Sequence, residues 1–169
     1  MYYKTSYISP LGKMTLASDG ESLIGLYFDG QKYFLSSIKS EIIENDGLEI
    51  FKKTKKWLDE YFKGKNPSGK GLKLKLEGSD FRKNVWQKLR SIPYGKTVSY
   101  NDIAKNIAAE KGIKRMSCQA VGSAIGHNPI SIIIPCHRVV GTNGNLTGYA
   151  AGIKVKKKLL ELEGIEIEE

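Results

Sequence analysis

At 169 residues, with 40% apolar and 27% charged side chains, the chain is long enough for one domain or two small ones with a real core, and no apolar run is long enough to cross a bilayer. The net charge of +9 points to a polyanion, nucleic acid first, while two cysteines are too few for a disulfide framework and imply a reducing, cytoplasmic setting. A four-ligand zinc site would need both cysteines and both histidines, with no C-x-x-C pair among them, so no metal is expected.

In chain order, Tyr2 to Ile8, Met14 to Ala17 and Leu23 to Phe28 are β-rich runs. Pro10-Leu11-Gly12-Lys13 and Ser18-Asp19-Gly20-Glu21 supply the turns of a small antiparallel sheet. The spacing of Phe34, Leu35, Ile38, Ile42 and Ile43 predicts a helix over 31–44. Phe51, Trp57, Leu58, Tyr61 and Phe62 predict another over 48–63, stopped by the breaker cluster from Gly64 to Gly69. Leu72, Leu74 and Leu76 alternate with lysines as one more strand. Composition changes near residue 78, which sets an α/β domain at 1–77 and a mostly α domain at 78–169.

The second domain opens with Ser79 or Asp80 capping a helix whose core face is Phe81, Val85, Trp86 and Leu89. Ser99 with Asp102 forms a capping box for the next, buried through Ile103 and Ile107. A connector over 109–116 leads to a third helix from about Ser117 to His127, stopped by Asn128-Pro129. The order resembles a helix-turn-helix. Val121, Ala124 and Ile125 face the core, while Gln119, Gly122, Ser123 and Gly126 share the other face. Glycine inside a helix costs about 1 kcal/mol against alanine, so two on one face imply a close approach to the backbone. That visitor is either the minor groove of DNA or another element of the same chain.

An apolar, strand-like run from Ile132 to Ile134 then ends in Pro135, followed at once by Cys136, His137 and Arg138. A thiolate is the nucleophile in cysteine chemistry, and a free thiol near pKa ~8.5 supplies little of it at neutral pH. Cys136 therefore needs a base. His137 is adjacent, although neighbours on an extended chain point to opposite faces, so a bridging water or a local turn is required. A glycine-rich loop, 141–149, and a last helix from Ile153 to Glu163 follow, with Val155, Leu159 and Leu162 inward and Lys156, Lys157 and Lys158 outward. Ile165 to Glu169 forms an acidic tail.

Pro135-Cys136-His137-Arg138-Val139, preceded by Asn128-Pro129 and the isoleucines, resembles the active-site signature of the O6-alkylguanine-DNA alkyltransferases, and the likeness covers about residues 80–164. It implies a ribonuclease-H-like sheet plus helices in the N-terminal α/β domain and a winged helix-turn-helix-like C-terminal domain. It also implies irreversible, single-turnover transfer of an alkyl group from O6 of guanine to Cys136, with the base flipped from the duplex, no cofactor, and a monomer bound to the minor groove of double-stranded DNA. By the same resemblance Glu163 orients His137, Tyr100 contacts the flipped guanine, and Asn128 ties the helix-turn-helix to the active-site loop. Tyr149 covers the base, while the Ala150 amide and the Val139 carbonyl contact its edge. Gln119 stands where the family has an arginine finger, with Ala120, Gly122 and Ser123 beside it, and Arg115 and Arg138 are cations available to DNA. Ala151 replaces a pocket glycine and predicts rejection of bulky alkyl groups. The competing readings are a DNA-binding module without transfer, against which Cys136 itself argues, and a Cys-His hydrolase. Cys118 is the rival thiol, read as small-residue packing.

Overall fold

The computed structural model describes residues 1–35, 38 and 41–167. The chain divides into two compact units: Met1–Glu77 with Pro129–Ser131, and Gly78–Asn128 with Ile132–Glu169. The first holds a four-stranded sheet in the order β3-β2-β1-β4. Its strands are β1 (Tyr2–Ser9), β2 (Gly12–Ser18), β3 (Leu23–Phe28) and β4 (Ile42–Glu44). The first three form an antiparallel meander, and β4 runs parallel to β1 with Tyr2 opposite Ile42. Gly12 takes φ +128 where β2 leaves the tight β1–β2 turn, a conformation that suits glycine. Helix α1 (Glu49–Phe62) buries Ile50, Phe51, Thr54, Leu58 and Tyr61, one stripe of its amphipathic pattern.

Two expectations in this unit are corrected. Among the described residues of 31–44 no helix forms. Tyr33 and Leu35 have φ of 61° and 53°, which breaks a right-handed helix, and Ile42 and Ile43 pair with β1 instead. The parts of that segment at Ser36, Ser37, Lys39 and Ser40 lie outside the described residues. The strand at Leu72–Leu76 shrinks to one bridge, Leu74 to Leu23, held by Leu23 N–H to the Lys73 carbonyl and Lys75 N–H to the Leu23 carbonyl, 2.8 and 3.0 Å.

In the second unit, α2 (Asp80–Arg90), α3 (Tyr100–Lys111) and α4 (Cys118–Gly126) pack together. Ser79 caps α2 through the Arg82 amide, and Ser99 and Asp102 cap α3 reciprocally, satisfying amides that would otherwise be orphaned. The connector is shorter than the sequence implied, because α3 continues through Ala109–Lys111 and stops at Gly112, φ 68. A left-handed glycine is a common helix terminator. Ser117 caps α4 through the Ala120 amide. Trp86 donates its indole N–H to the Ala124 carbonyl at 2.9 Å, fixing α2 against α4. Strands β5 (Val98–Ser99) and β6 (Val139–Val140) pair in parallel, and α5 (Ile153–Leu162) closes the unit.

Candidate active site

The run Ile132–Ile134 is not a strand. It is a buried turn in which Ile132, 1% exposed, holds φ +70, a strained conformation for a β-branched residue that costs on the order of 1–3 kcal/mol. The Cys136 amide donates to the Ile134 carbonyl at 2.8 Å across Pro135, and the Arg138 amide to the Pro135 carbonyl at 3.0 Å. Cys136–Arg138 thus forms a single 3-10 turn. The chain therefore turns at the point where an extended backbone would have sent the thiol and imidazole to opposite faces. Asn128, 4% exposed, spans this loop by donating from Nδ2 to the Ile134 carbonyl, 2.8 Å.

Cys136 is buried. Burial pushes its thiol above the ordinary value, while hydrogen bonds from Asn128 and Tyr149 and the charge of Lys156 pull it down. Burial likewise holds His137 below its ordinary value, against the opposing pull of Glu163, so the imidazole is neutral at pH 7. His137 Nε2 lies 2.5 Å from Glu163 Oε2. A neutral ring that donates from Nε2 keeps Nδ1 as its proton acceptor. Glu163, at the C-terminal end of α5, also accepts from the Gly95 amide, 3.1 Å, and from Arg138 Nε and Nη2, 2.8 and 3.2 Å.

Arg138 is therefore corrected as a DNA contact. It is 9% exposed, with its guanidinium also donating to the Ile92 carbonyl at 2.8 Å and lying 5.7 Å from the Tyr94 ring centroid. A second correction concerns Lys156, expected outward but fully buried. Its ammonium bonds the carbonyls of Leu146 and Gly148, 2.5 and 3.1 Å, and lies 5.8 Å from the Tyr100 ring centroid. Burial lowers its pKa to about 8. Helical spacing contained this clue: Lys156, Leu159, Leu160 and Glu163 are i, i+3, i+4 and i+7 on one stripe.

Tyr100 opens α3, and burial raises its phenol above the ordinary value. Its hydroxyl lies 3.2 Å from that of Thr147, a partner no sequence pattern flagged. Tyr149, Ala150 and Ala151 lie on a turn closed by Gly152 N–H to the Tyr149 carbonyl, 2.9 Å, and Val139 sits in β6. The loop thus brings Tyr149 to Cys136 and Thr147 to Tyr100.

On α4, Gln119, Ala120 and Ser123 are exposed and Gly122 is half-buried, as is Gly126, while Val121, Ala124 and Ile125 are buried. A methyl on Gly122 would meet only the Tyr100 ring, at 3.9 Å, and one on Gly126 would meet nothing within 4 Å. Internal packing does not require either glycine. Arg115 is exposed on the connector. Cys118 is exposed as well, not packed as expected: it starts α4 on the side away from the core. Among the described residues no group of His, Cys, Asp or Glu could hold a metal ion, and no helix is long and apolar enough to cross a membrane.

Two family models match the chain: the ribonuclease-like domain of 6-O-methylguanine DNA methyltransferase over residues 1–76, and the DNA binding domain of the same proteins over 80–165. A methylated-DNA–protein-cysteine methyltransferase of Methanosarcina acetivorans is 44% identical over 165 residues, 97% of this chain and 99% of the relative. One from Haemophilus influenzae is 39% identical, covering 96% and 87%. The crystal structure of Mycobacterium tuberculosis OGT in complex with DNA matches with a TM-score of 0.82 at 40% identity, over 95% of this chain and 92% of that one.

Proposed function

Because the chain belongs to the 6-O-methylguanine DNA methyltransferase family, and so directly repairs alkylated guanine in DNA by alkyl transfer to a cysteine, we propose that Cys136 is the acceptor and that the surrounding groups divide the work of the transfer. The observation that carries this reading is the buried thiol of Cys136 beside the Glu163–His137 pair, with hydrogen bonds from Asn128 and Tyr149. His137 takes the thiol proton at Nδ1 through a bridging water, and Glu163 stabilises the imidazolium that forms. Sγ bonds to the O6-alkyl carbon, the C–O bond breaks, and its electron pair goes to O6. The leaving guanine takes up one proton, so thiol and O6-alkylguanine become thioether and guanine. The Tyr100 hydroxyl binds the base as it leaves, Tyr149 covers it, and the Ala150 amide and Val139 carbonyl address its edge. Ala151 limits the size of the alkyl group.

The lesion cannot be reached within a duplex, so the base is extruded into the pocket, which costs a few kcal/mol. The shallow face of α4 suits entry into a minor groove, since its glycines have no internal reason to be there. Gln119 fills the gap and hydrogen-bonds the orphaned cytosine, with Ala120 and Ser123 alongside and Arg115 on phosphate. The protein acts as a monomer, once. A boundary at residue 77 is part of the same reading, supported by family models that end at 76 and begin at 80.

The test is intact mass after incubation with a duplex carrying one O6-methylguanine, with Cys136→Ser in parallel. One added CH₂ on the wild type alone, located to Cys136 and saturating at one per chain, is expected. Methylation of the Cys136→Ser chain at Cys118, or continued release of product beyond one equivalent, would overturn the assignment.

A further inference from the structure

Glu163 carries more contacts than a histidine partner needs. Its carboxylate accepts from His137 Nε2, from the Gly95 amide, and twice from Arg138. Arg138 is itself enclosed: Nη1 is fastened to the Ile92 carbonyl, and the guanidinium lies by the Tyr94 ring, whose hydroxyl donates to the Leu162 carbonyl at 3.4 Å. The turn at 92–95, the 3-10 turn and the end of α5 are thereby joined through one guanidinium. A planar fork grips a carboxylate in one orientation, as an ammonium cannot.

We infer that Arg138 is a positioning residue for the transfer: by holding the Glu163 carboxylate in one orientation and supplying its counter-charge, it keeps His137 neutral and oriented as a proton acceptor. The reasoning is charge balance in a buried place. Glu163 and Arg138 together are neutral, so the guanidinium offsets part of the pull that the carboxylate exerts on the imidazole. Without Arg138 the buried carboxylate is uncompensated, and the nearest remedy is a proton on His137. An imidazolium cannot accept the proton of Cys136. The charged and titratable groups that face His137 are Glu163 and Lys156 on α5, Arg138 in its own turn, and Cys136 next to it. Lys156 changes charge near pH 8, so the comparison is made below pH 7. This inference rests on the proposed role of Cys136 and His137. The ring titration tests Arg138 whether or not transfer occurs.

The experiment uses the full chain with Arg138→Met and Arg138→Lys. The His137 ring is titrated by NMR, His127 being the only other histidine, and single-turnover transfer from an O6-methylguanine duplex is followed from pH 5 to 7. In Arg138→Met, His137 should titrate at least one pH unit above wild type. The acid limb of the rate profile should move with it, for a tenfold or greater loss at pH 6.5 that narrows as pH rises. Arg138→Lys keeps a cation without the fork, so His137 should titrate as in wild type while the rate falls severalfold at every pH. An equal loss at all pH values in Arg138→Met with the His137 titration unmoved would overturn the inference, as would a wild-type rate in Arg138→Lys. If Arg138→Met does not fold, the lysine variant still decides: a raised His137 titration there refutes the charge argument. A wild type that transfers nothing, with the predicted ring titrations intact, would instead sink the proposed function.

Discussion

Replacing Lys156 with methionine separates two effects that a buried amine combines. A lysine at about 8 in the native chain, against 10.5 unfolded, binds its proton less tightly when folded. At pH 7 it therefore opposes folding by up to about 3 kcal/mol, at about 1.4 kcal/mol per unit. That penalty is present below pH 8 and fades as pH rises toward 10.5. Two carbonyls on the ammonium, those of Leu146 and Gly148, favour the charged form, each by roughly 1.5–3 kcal/mol. Removing the amine relieves the first effect and forfeits the second, so at pH 7 Lys156→Met should lie between wild-type stability and about 3 kcal/mol below it in urea unfolding. The function should not be so forgiving. The same carbonyls flank Thr147, which meets Tyr100, and precede Tyr149, which meets Cys136. With the loop unheld, methyl transfer should fall at least tenfold while the fold persists. Stability of the wild type relative to the variant should also increase between pH 7 and 10. A loss above about 4 kcal/mol at pH 7, or a pH-independent difference between the two proteins, would refute this account of the lysine. Transfer within twofold of wild type would refute its role in holding the loop.

Gly122→Ala should raise the melting temperature, by up to about 1 kcal/mol of helix propensity, because its methyl meets only Tyr100 at 3.9 Å. The same change should weaken duplex binding severalfold in fluorescence anisotropy, and unchanged affinity would mean that nothing approaches that face. Ser99→Ala breaks the capping box of α3 and should cost about 1 kcal/mol in chemical denaturation, with transfer at saturating DNA little changed. Cys118→Ser should transfer methyl at the wild-type rate, read by intact mass, since that thiol is exposed at the start of α4.

The helices were legible because each carries its own signals. α2 and α3 have serine caps and buried stripes, and α4 has Ser117 before it and Asn128-Pro129 after it. What failed depends on partners far along the chain. Ile42 and Ile43 fit a helical period as well as a strand, and only pairing with Tyr2 and Tyr3 decides between them. Ile132 reads as strand because β-branched runs usually are, yet the turn into Cys136 forces it to positive φ. Arginine is seldom buried unless paired, so Arg138 beside a candidate site looked like a DNA contact. Its partners Glu163 and Ile92 lie 25 and 46 residues away. The charge of Lys156 points outward in the sequence, but its helical phase with Leu159, Leu160 and Glu163 points inward. Cys136 and His137 are legible as a thiol in need of a base and an adjacent imidazole, whereas the roles of Asn128, Tyr100, Tyr149 and Glu163 come from a resemblance.

The proposed chemistry suits a buried site because it separates charge without changing the net charge. In the resting state Glu163 is one anion against two cations, Arg138 and Lys156, with thiol and imidazole neutral. Proton transfer from Cys136 to His137 leaves that sum unchanged. The new thiolate faces the field of Lys156, and the new imidazolium faces Glu163, so each charge forms beside a group already in place to receive it. Alkylation then discharges the thiolate, and His137 returns its proton, leaving the cluster as it began except for the thioether. The proposed product would also make such a site single-use. A hydrolase regenerates its cysteine because water attacks the carbonyl of a thioester. The alkyl carbon of a thioether offers no carbonyl, and a neutral imidazole cannot activate water strongly enough to displace a thiolate from it. A Cys-His pair that would turn over on an ester is therefore a one-use acceptor on an alkyl group, and the distinction lies in the substrate's carbon, not in the residues around it.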